Sequence, residues 1–221
     1  ERTYFAPYPE HPKAYGEDAP ANGQKAFDAQ LNNKYTGLLQ TGETAWEGEE
    51  ISPYTQESLG IQYPTFPADL LIANASNAFK SWRKATVNER AGILAEALDR
   101  CKPRFFEIGH ATQHTTGQSF MMSFQASGPH AADRAMESIA MAYTEQQRFP
   151  ASTTWVKPMG KFEITLDKKF KAIPKGISLV IGCSTFPTWN TVPGMFGSLV
   201  TGNPVIVKPH PKSTLAIAIV I

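Results

Sequence analysis

The sequence predicts an α/β chain in which a helical region leads into a strand–helix–strand–helix unit. Two observations carry this. Between Asp69 and Tyr143 apolar residues recur at the three-to-four-residue spacing of amphipathic helices. After Lys175, two short, near-continuous apolar runs, Gly176–Gly182 and Pro204–Lys208, flank a helix-compatible stretch, as buried parallel strands do. The connection between such strands is right-handed by rule.

Taken in order, residues 1–50 are rich in Pro, Gly, Tyr and Asn and have little periodicity, so they read as irregular, surface-wrapping chain with a short helix near Gln24–Leu31. Ile51–Ile61 reads as strand, turn and strand. The first helical stripe is Leu71, Ala75, Ala78, Phe79 and Trp82, with Asp69 as its cap. The next begins near Asn88 and runs through Ala91, Leu94, Ala95, Leu98, Cys101, Phe105 and Ile108. Pro103 should kink or divide it and Gly117 should end it. A third helix follows Gly128-Pro129, with the stripe Ala132, Met136, Ile139, Ala140 and Tyr143. Lys161–Lys171 alternates apolar and polar, the pattern of a half-exposed strand. A helix over Thr188–Val200 and a second one capped by Ser213 complete the unit.

Composition narrows the function classes. In 221 residues, 21 Lys and Arg balance 20 Asp and Glu, so no electrostatic case arises for nucleic acid or a membrane surface. No apolar stretch reaches the ~18 residues that span a bilayer, and Glu1–Glu10 lacks the apolar core of a signal peptide. Two cysteines, Cys101 and Cys183, fit a reducing, cytoplasmic setting. The chain lacks an initiator Met, and Leu215–Ile221 is apolar to its last residue. The first suggests a trimmed or absent start, and the second reads as an element cut short, the alternative being a buried terminal helix or strand.

Pro174-Lys175-Gly176-Ile177, Phe186-Pro187 and Ser198–Pro209 resemble, in order and spacing, the first βαβ of aldehyde dehydrogenases. Upstream, Ser52-Pro53 to Gly60, Glu89-Arg90-Ala91 and Thr116-Gly117-Gln118 resemble landmarks of the same family, so the resemblance covers about residues 50–221. Pro7–Pro12, His114–Gln118, Gly128–Ala131 and Gly182–Asn190 are similar to the phenylacetate-degradation (PaaN) type within it. The resemblance implies an N-terminal extension over 1–50 and the helical part of the cofactor-binding domain over 51–150. It also implies an oligomerisation arm over 151–175 and the first half of a Rossmann-like cofactor sheet over 176–221. It further implies a homodimer or tetramer that oxidises an aldehyde or semialdehyde to the acid with NAD or NADP. The nucleophilic cysteine and general-base glutamate would lie beyond Ile221, so the isolated chain is expected to be inactive. The alternative is a non-catalytic, aldehyde dehydrogenase-like fragment with a binding or assembly role.

By the same resemblance, Ile181, Gly182, Cys183 and Ser184 form the loop against the nicotinamide ribose, and Lys208 hydrogen-bonds the adenosine ribose. Pro211 stands where the family often has a glutamate that disfavours a 2′-phosphate. His210 and Lys212 beside it either meet that phosphate or point into solvent. Thr185 replaces a frequent asparagine at the oxyanion position, where one donor is worth roughly 3 kcal/mol. Phe186, Asn190 and Pro193 would line a substrate tunnel, with Asn190 able to assist the oxyanion. Cys183 lacks a base and is not assigned as nucleophile, and Cys101 belongs to a core stripe. His110 and His114 have the i,i+4 spacing of a metal pair but no third ligand, so no metal is assigned. Trp155 and Trp189 read as packing residues.

Overall fold

The computed structural model describes residues 7–221. Residues 1–6, which fall in the stretch read as lacking a signal-peptide core, lie outside the described residues. After a 3-10 turn at Pro12–Tyr15, helix α1 spans Ala19–Asp28. It starts earlier than the sequence suggested because Pro20, in the first turn, presets a helical backbone and needs no amide partner there.

The strand–turn–strand expected over Ile51–Ile61 is reduced to a turn with one bridge, Ile51 to Ser58. Ser52 dominates it. Its amide donates to Glu57 O at 2.9 Å, and its hydroxyl accepts from Tyr54 N at 3.3 Å. The ladder forms outside the turn, between β1 (Ala45–Glu47) and β2 (Tyr63–Thr65), which run antiparallel.

Helix α2 (Ala68–Trp82) is capped by Pro67 without a side-chain bond. Asp69 is therefore not the cap. It lies in the first turn, where its carboxylate still complements the helix dipole. Ala75 is the buried member of the expected stripe, while Ala78 is exposed. Helix α3 (Val87–Cys101) opens with a full capping box: Thr86 Oγ1 accepts from Glu89 N and the Glu89 carboxylate accepts from Thr86 N. Pro103 divides the segment as expected. A 3-10 turn at Lys102–Arg104 separates α3 from α4 (Phe105–Thr116), which ends at Gly117 with φ +78°. A helix not foreseen, α5 (Phe120–Ser127), then fits between Ser119, whose hydroxyl accepts from Met122 N, and Gly128.

Helix α6 (Pro129–Gln146) buries Ala131, Ala132, Ala135 and Ile139. The expected Ala140 and Tyr143 are exposed, because the small alanines let α6 lie close on α7 and turn that end of the stripe outward. The strand expected over Lys161–Lys171 is half of a hairpin, β3 (Ser152–Met159) with β4 (Phe162–Lys169), in which every residue of both strands is exposed. Trp155 is consequently no core residue, and Lys168 Nζ sits 4.6 Å from its ring centre.

The last four elements are β5 (Ser178–Ile181), α7 (Pro187–Val200), β6 (Val205–Lys208) and α8 (Leu215–Val220). β5 and β6 pair in parallel, Ser178 with Val205 through Ile181 with Lys208. The expectation of buried strands is not met: no residue of β5 or β6 is buried, and even the face toward α7 is only half-covered. Val180 faces Gly194 of α7, whereas Leu179 and Ile181 are 61% and 66% exposed, since nothing among the described residues covers that side. One hydrophobic core nevertheless joins Tyr8, Phe27 and Tyr35 to Phe105, Phe124, Ile139, Val200 and Ile219. No described helix is long and apolar enough to cross a membrane.

Candidate functional site at the strand ends

Parallel strands place their carboxyl ends side by side, and both connections after β5 and β6 emerge there. Gly182 N–H donates to Lys208 O at 2.9 Å, closing the ladder at its last step. A Cβ on Gly182 would approach Thr191 Oγ1 to 2.8 Å and Pro209 Cα to 3.4 Å. Glycine is thus required by the close approach of the loop to α7 and to the second strand end.

The loop 182–186 has its carbonyls taken by side chains from three other places. Ser213 Oγ lies 3.4 Å from Ser184 O, Gln118 Nε2 donates to Thr185 O, and Asn190 Nδ2 donates to Phe186 O at 3.1 Å. The Ser213 hydroxyl has one proton for three carbonyls, since Lys212 O at 2.8 Å and Thr115 O at 3.4 Å also lie within reach. Asn190 Nδ2 also approaches Cys183 Sγ to 3.2 Å. The Asn190 amide is therefore already engaged with its own loop. Thr185 and Asn190 are exposed, while Cys183 and Ser184 are half-buried. Phe186 meets Trp189 with ring centres 5.8 Å apart, and Trp189 is 41% exposed rather than packed inside. Pro193 lies two turns along α7 and is half-buried, the helix continuing through it.

The second connection is a tight turn. Ser213 N–H and Thr214 Oγ1 both donate to His210 O, at 2.9 and 3.2 Å, and Lys212 N–H donates to His210 Nδ1 at 3.2 Å. His210 is half-buried and its ring is tied to the turn, whereas Pro211 and Lys212 are exposed. Lys208 is exposed, with Nζ 3.4 Å from Pro209 O and no carboxylate partner among the described residues. The structure thus brings Ile181–Phe186 and Lys208–Ser213 together at one edge. The clefts of 530 Å3 (Lys80, Arg83, Lys84, Lys171) and 460 Å3 (including Asn22, Gln30 and Glu107) are lined by none of these residues.

Ser213 does not cap α8. The cap position is Thr214, whose side chain makes no capping bond to the helix amides. The helix is instead capped from far away by Glu50, whose Oε1 accepts from Thr214 N at 2.6 Å and Leu215 N at 2.9 Å. Sequence reading gave no site role to Glu50, nor to Gln118, although Gln118 stands in the Thr116-Gly117-Gln118 landmark. Glu50 lies in the run Glu47-Gly48-Glu49-Glu50, which looks like a solvated acidic stretch, and Gln118 carries no periodic signal.

The two histidines of α4 serve packing. His114 stacks on Phe27 at 5.0 Å with Nδ1 2.9 Å from Ser52 Oγ, and His110 lies against Phe120 at 4.4 Å. Burial pushes both imidazoles below the usual histidine range. Burial likewise pushes the Cys101 thiol up, partly offset by Arg104, which fits a core cysteine.

Residues 42–221 match the aldehyde dehydrogenase family. The chain is 26% identical over 191 residues to a vanillin dehydrogenase of Amycolatopsis, covering 83% of this chain and 37% of that protein. It is 28% identical over 148 residues to 4-trimethylaminobutyraldehyde dehydrogenase B of Danio rerio, covering 65% and 26%. It superposes on an NAD-dependent aldehyde dehydrogenase from Burkholderia multivorans with TM-score 0.94 and 45% identity, over 99% of this chain and 39% of that one. A 1-pyrroline-5-carboxylate dehydrogenase of Thermus thermophilus shares the fold at TM-score 0.76 and 16% identity, over 99% and 42%. The chain spans roughly a quarter to two-fifths of the length of these proteins. With the family match extending over most of its residues, the chain belongs to the aldehyde dehydrogenase family.

Proposed function

We propose that this chain supplies the opening part of the nicotinamide-cofactor site of an enzyme that oxidises an aldehyde to the acid. The observation that carries the reading is the juxtaposition of the 182–186 loop with the Lys208–Ser213 turn at the ends of two parallel strands. The residues fit the group. A dinucleotide needs an open crevice with some apolar wall and a cation for its hydroxyls. The exposed Leu179 and Ile181 and the exposed Lys208 ammonium, which has no carboxylate partner among the described residues, offer these.

Bound there, the cofactor would accept hydride. Lys208 would hold the adenosine ribose. Ile181, Gly182, Cys183 and Ser184 would lie against the nicotinamide ribose, their loop kept in shape by Gln118 and Asn190. Thr185 would stand at the oxyanion position, and Phe186, Asn190 and Pro193 along the substrate path. Pro211 presents no carboxylate, so NADP is accepted at least as well as NAD. The aldehyde is aromatic or derived from aromatic-ring breakdown, as in the phenylacetate-degradation type. Similarity to a vanillin dehydrogenase supports an aromatic substrate class. The setting is cytoplasmic. The exposed β3–β4 hairpin, with Trp155, Ile164 and Leu166 uncovered, supports an arm that joins subunits into a dimer or tetramer.

The test is equilibrium titration of the protein carrying this chain with NAD and NADP, followed by turnover of benzaldehyde- and semialdehyde-type substrates. Binding of one or both cofactors, weakened in Lys208→Ala, is the expected result. A protein that binds neither cofactor refutes the reading.

A further inference from the structure

Glu50 is 2% exposed, yet it is a carboxylate with no cation beside it among its hydrogen-bond partners. Burying such a group is costly unless its lone pairs are satisfied. Here they are. Tyr63 Oη–H donates to Oε2 at 2.6 Å, and Thr214 and Leu215 N–H donate to Oε1 at 2.6 and 2.9 Å. The Glu50 backbone is held too, since Leu59 N–H donates to Glu50 O at 2.9 Å. Burial pushes the carboxyl up, and the three donors pull it back toward the ionised form.

The position of the two amides gives this anchor its meaning. Thr214 and Leu215 directly follow the His210–Ser213 turn. That turn is closed on itself by the bonds to His210 O and Nδ1, so the chain from Lys208 to Leu215 behaves as one stitched unit. Its inner end is fixed by β6, through the Gly182–Lys208 step. Its outer end has no local side-chain cap, and Glu50 supplies from 164 residues upstream what a serine or aspartate at the cap would supply locally. The anion also meets the positive end of α8.

We propose that Glu50 is a positioning residue for nicotinamide-cofactor binding, acting through the first turn of α8 to set the Lys208–Ser213 turn against the 182–186 loop. The proposal rests on the function given above. It requires that loss of the cap weaken NAD and NADP alike, because the turn as a whole shifts. It also requires that catalysis at saturating cofactor persist, because Glu50 touches no substrate.

The test compares Glu50→Gln, Glu50→Leu and Tyr63→Phe in the complete protein by cofactor fluorescence titration, thermal midpoint without cofactor, and kcat against cofactor KM. Glu50→Gln keeps a neutral acceptor for α8 but loses the charge. Both dissociation constants and both KM values should rise about fivefold with kcat largely kept, the value of converting a charged cap to a neutral one. Glu50→Leu should weaken binding further. Tyr63→Phe removes a bond of the same cluster without touching α8, and should lower the thermal midpoint with cofactor affinity unchanged. Unchanged affinity in Glu50→Gln overturns the proposal, and so does Tyr63→Phe weakening binding as much as Glu50→Gln, which would mark general destabilisation. If Glu50→Leu fails to fold, Glu50→Gln still decides. Wild-type protein that binds neither cofactor overturns the function itself. Wild-type binding together with unaffected Glu50→Gln overturns this proposal alone.

Discussion

Arg90 is buried to 6% exposure and pairs with no carboxylate among the described residues. Its guanidinium instead spans three acceptors. Nε donates to Val200 O at 2.8 Å, Nη1 to Ala85 O at 2.5 Å and Nη2 to Gln146 Oε1 at 2.9 Å. Val200 is the last residue of α7, so its carbonyl has no partner within the helix and lies at the negative end of the dipole. Arg90 therefore ties the end of the βαβ helix to α3 and α6. Replacing it with Met keeps the stem and removes the donors. Each bond from a charged donor is worth about 1.5–3 kcal/mol, but releasing a buried guanidinium recovers part of the sum, leaving a net loss of about 3 kcal/mol. Gln146 Nε2, 3.2 Å from Val200 O, stays as a weaker partner and limits the damage. For a protein of this size the thermal midpoint should fall by about 6–12 °C. Arg90→Lys should recover only part of this, because an ammonium cannot reach three divergent acceptors. Thermal and urea unfolding of both variants is the assay. A loss below about 0.5 kcal/mol in Arg90→Met would refute the reasoning and make Arg90 an ordinary surface-grade contact.

Lys208→Ala should weaken NAD and NADP equally, while Pro211→Glu should weaken NADP more, since a carboxylate would face the 2′-phosphate with a repulsion of up to a few kcal/mol, reduced by salt. Calorimetric titration of each variant with each cofactor checks this, and equal losses in Pro211→Glu would show that the turn does not face the phosphate. Leu166→Lys on the uncovered hairpin should shift the protein toward smaller species in light scattering, and an unchanged mass would remove the hairpin from the subunit interface. His110 and His114 are held below the usual histidine value of 6.5 by burial, so they contribute stability that is present above about pH 6.5 and lost as pH falls through their lower folded values. Urea unfolding between about pH 7 and pH 5 should show a shallower decline in His110→Phe/His114→Gln than in the parent, and parallel curves would contradict it.

Periodicity and turn chemistry were sufficient for much of this protein. The stripe through Leu94 and Leu98, the break at Pro103, the stop at Gly117 and the strand–helix–strand order after Gly176 all follow from local rules that act within a turn or two. The family was legible for a related reason: its landmarks are short, ordered segments, and Arg90 in one of them proves to hold the end of α7. Other features depend on neighbours distant in sequence. Glu50 sits in an acidic run that reads as solvated, and only folding brings it to the bare amides of α8. Gln118 reaches Thr185, and Ser213 turns its hydroxyl to carbonyls instead of capping its helix. Burial likewise depends on what each face meets. The same alternation that marks Phe162–Lys169 as a strand cannot tell a covered face from an open one, and Leu179 and Ile181, apolar enough for an interior, remain exposed among the described residues. Local sequence determines which backbone state each segment prefers, because the relevant forces act over a few residues. Tertiary contact decides which polar groups are paired and which apolar faces are covered, because those partners lie up to 183 residues away, as in the Tyr35 hydroxyl bond to Ala218 O.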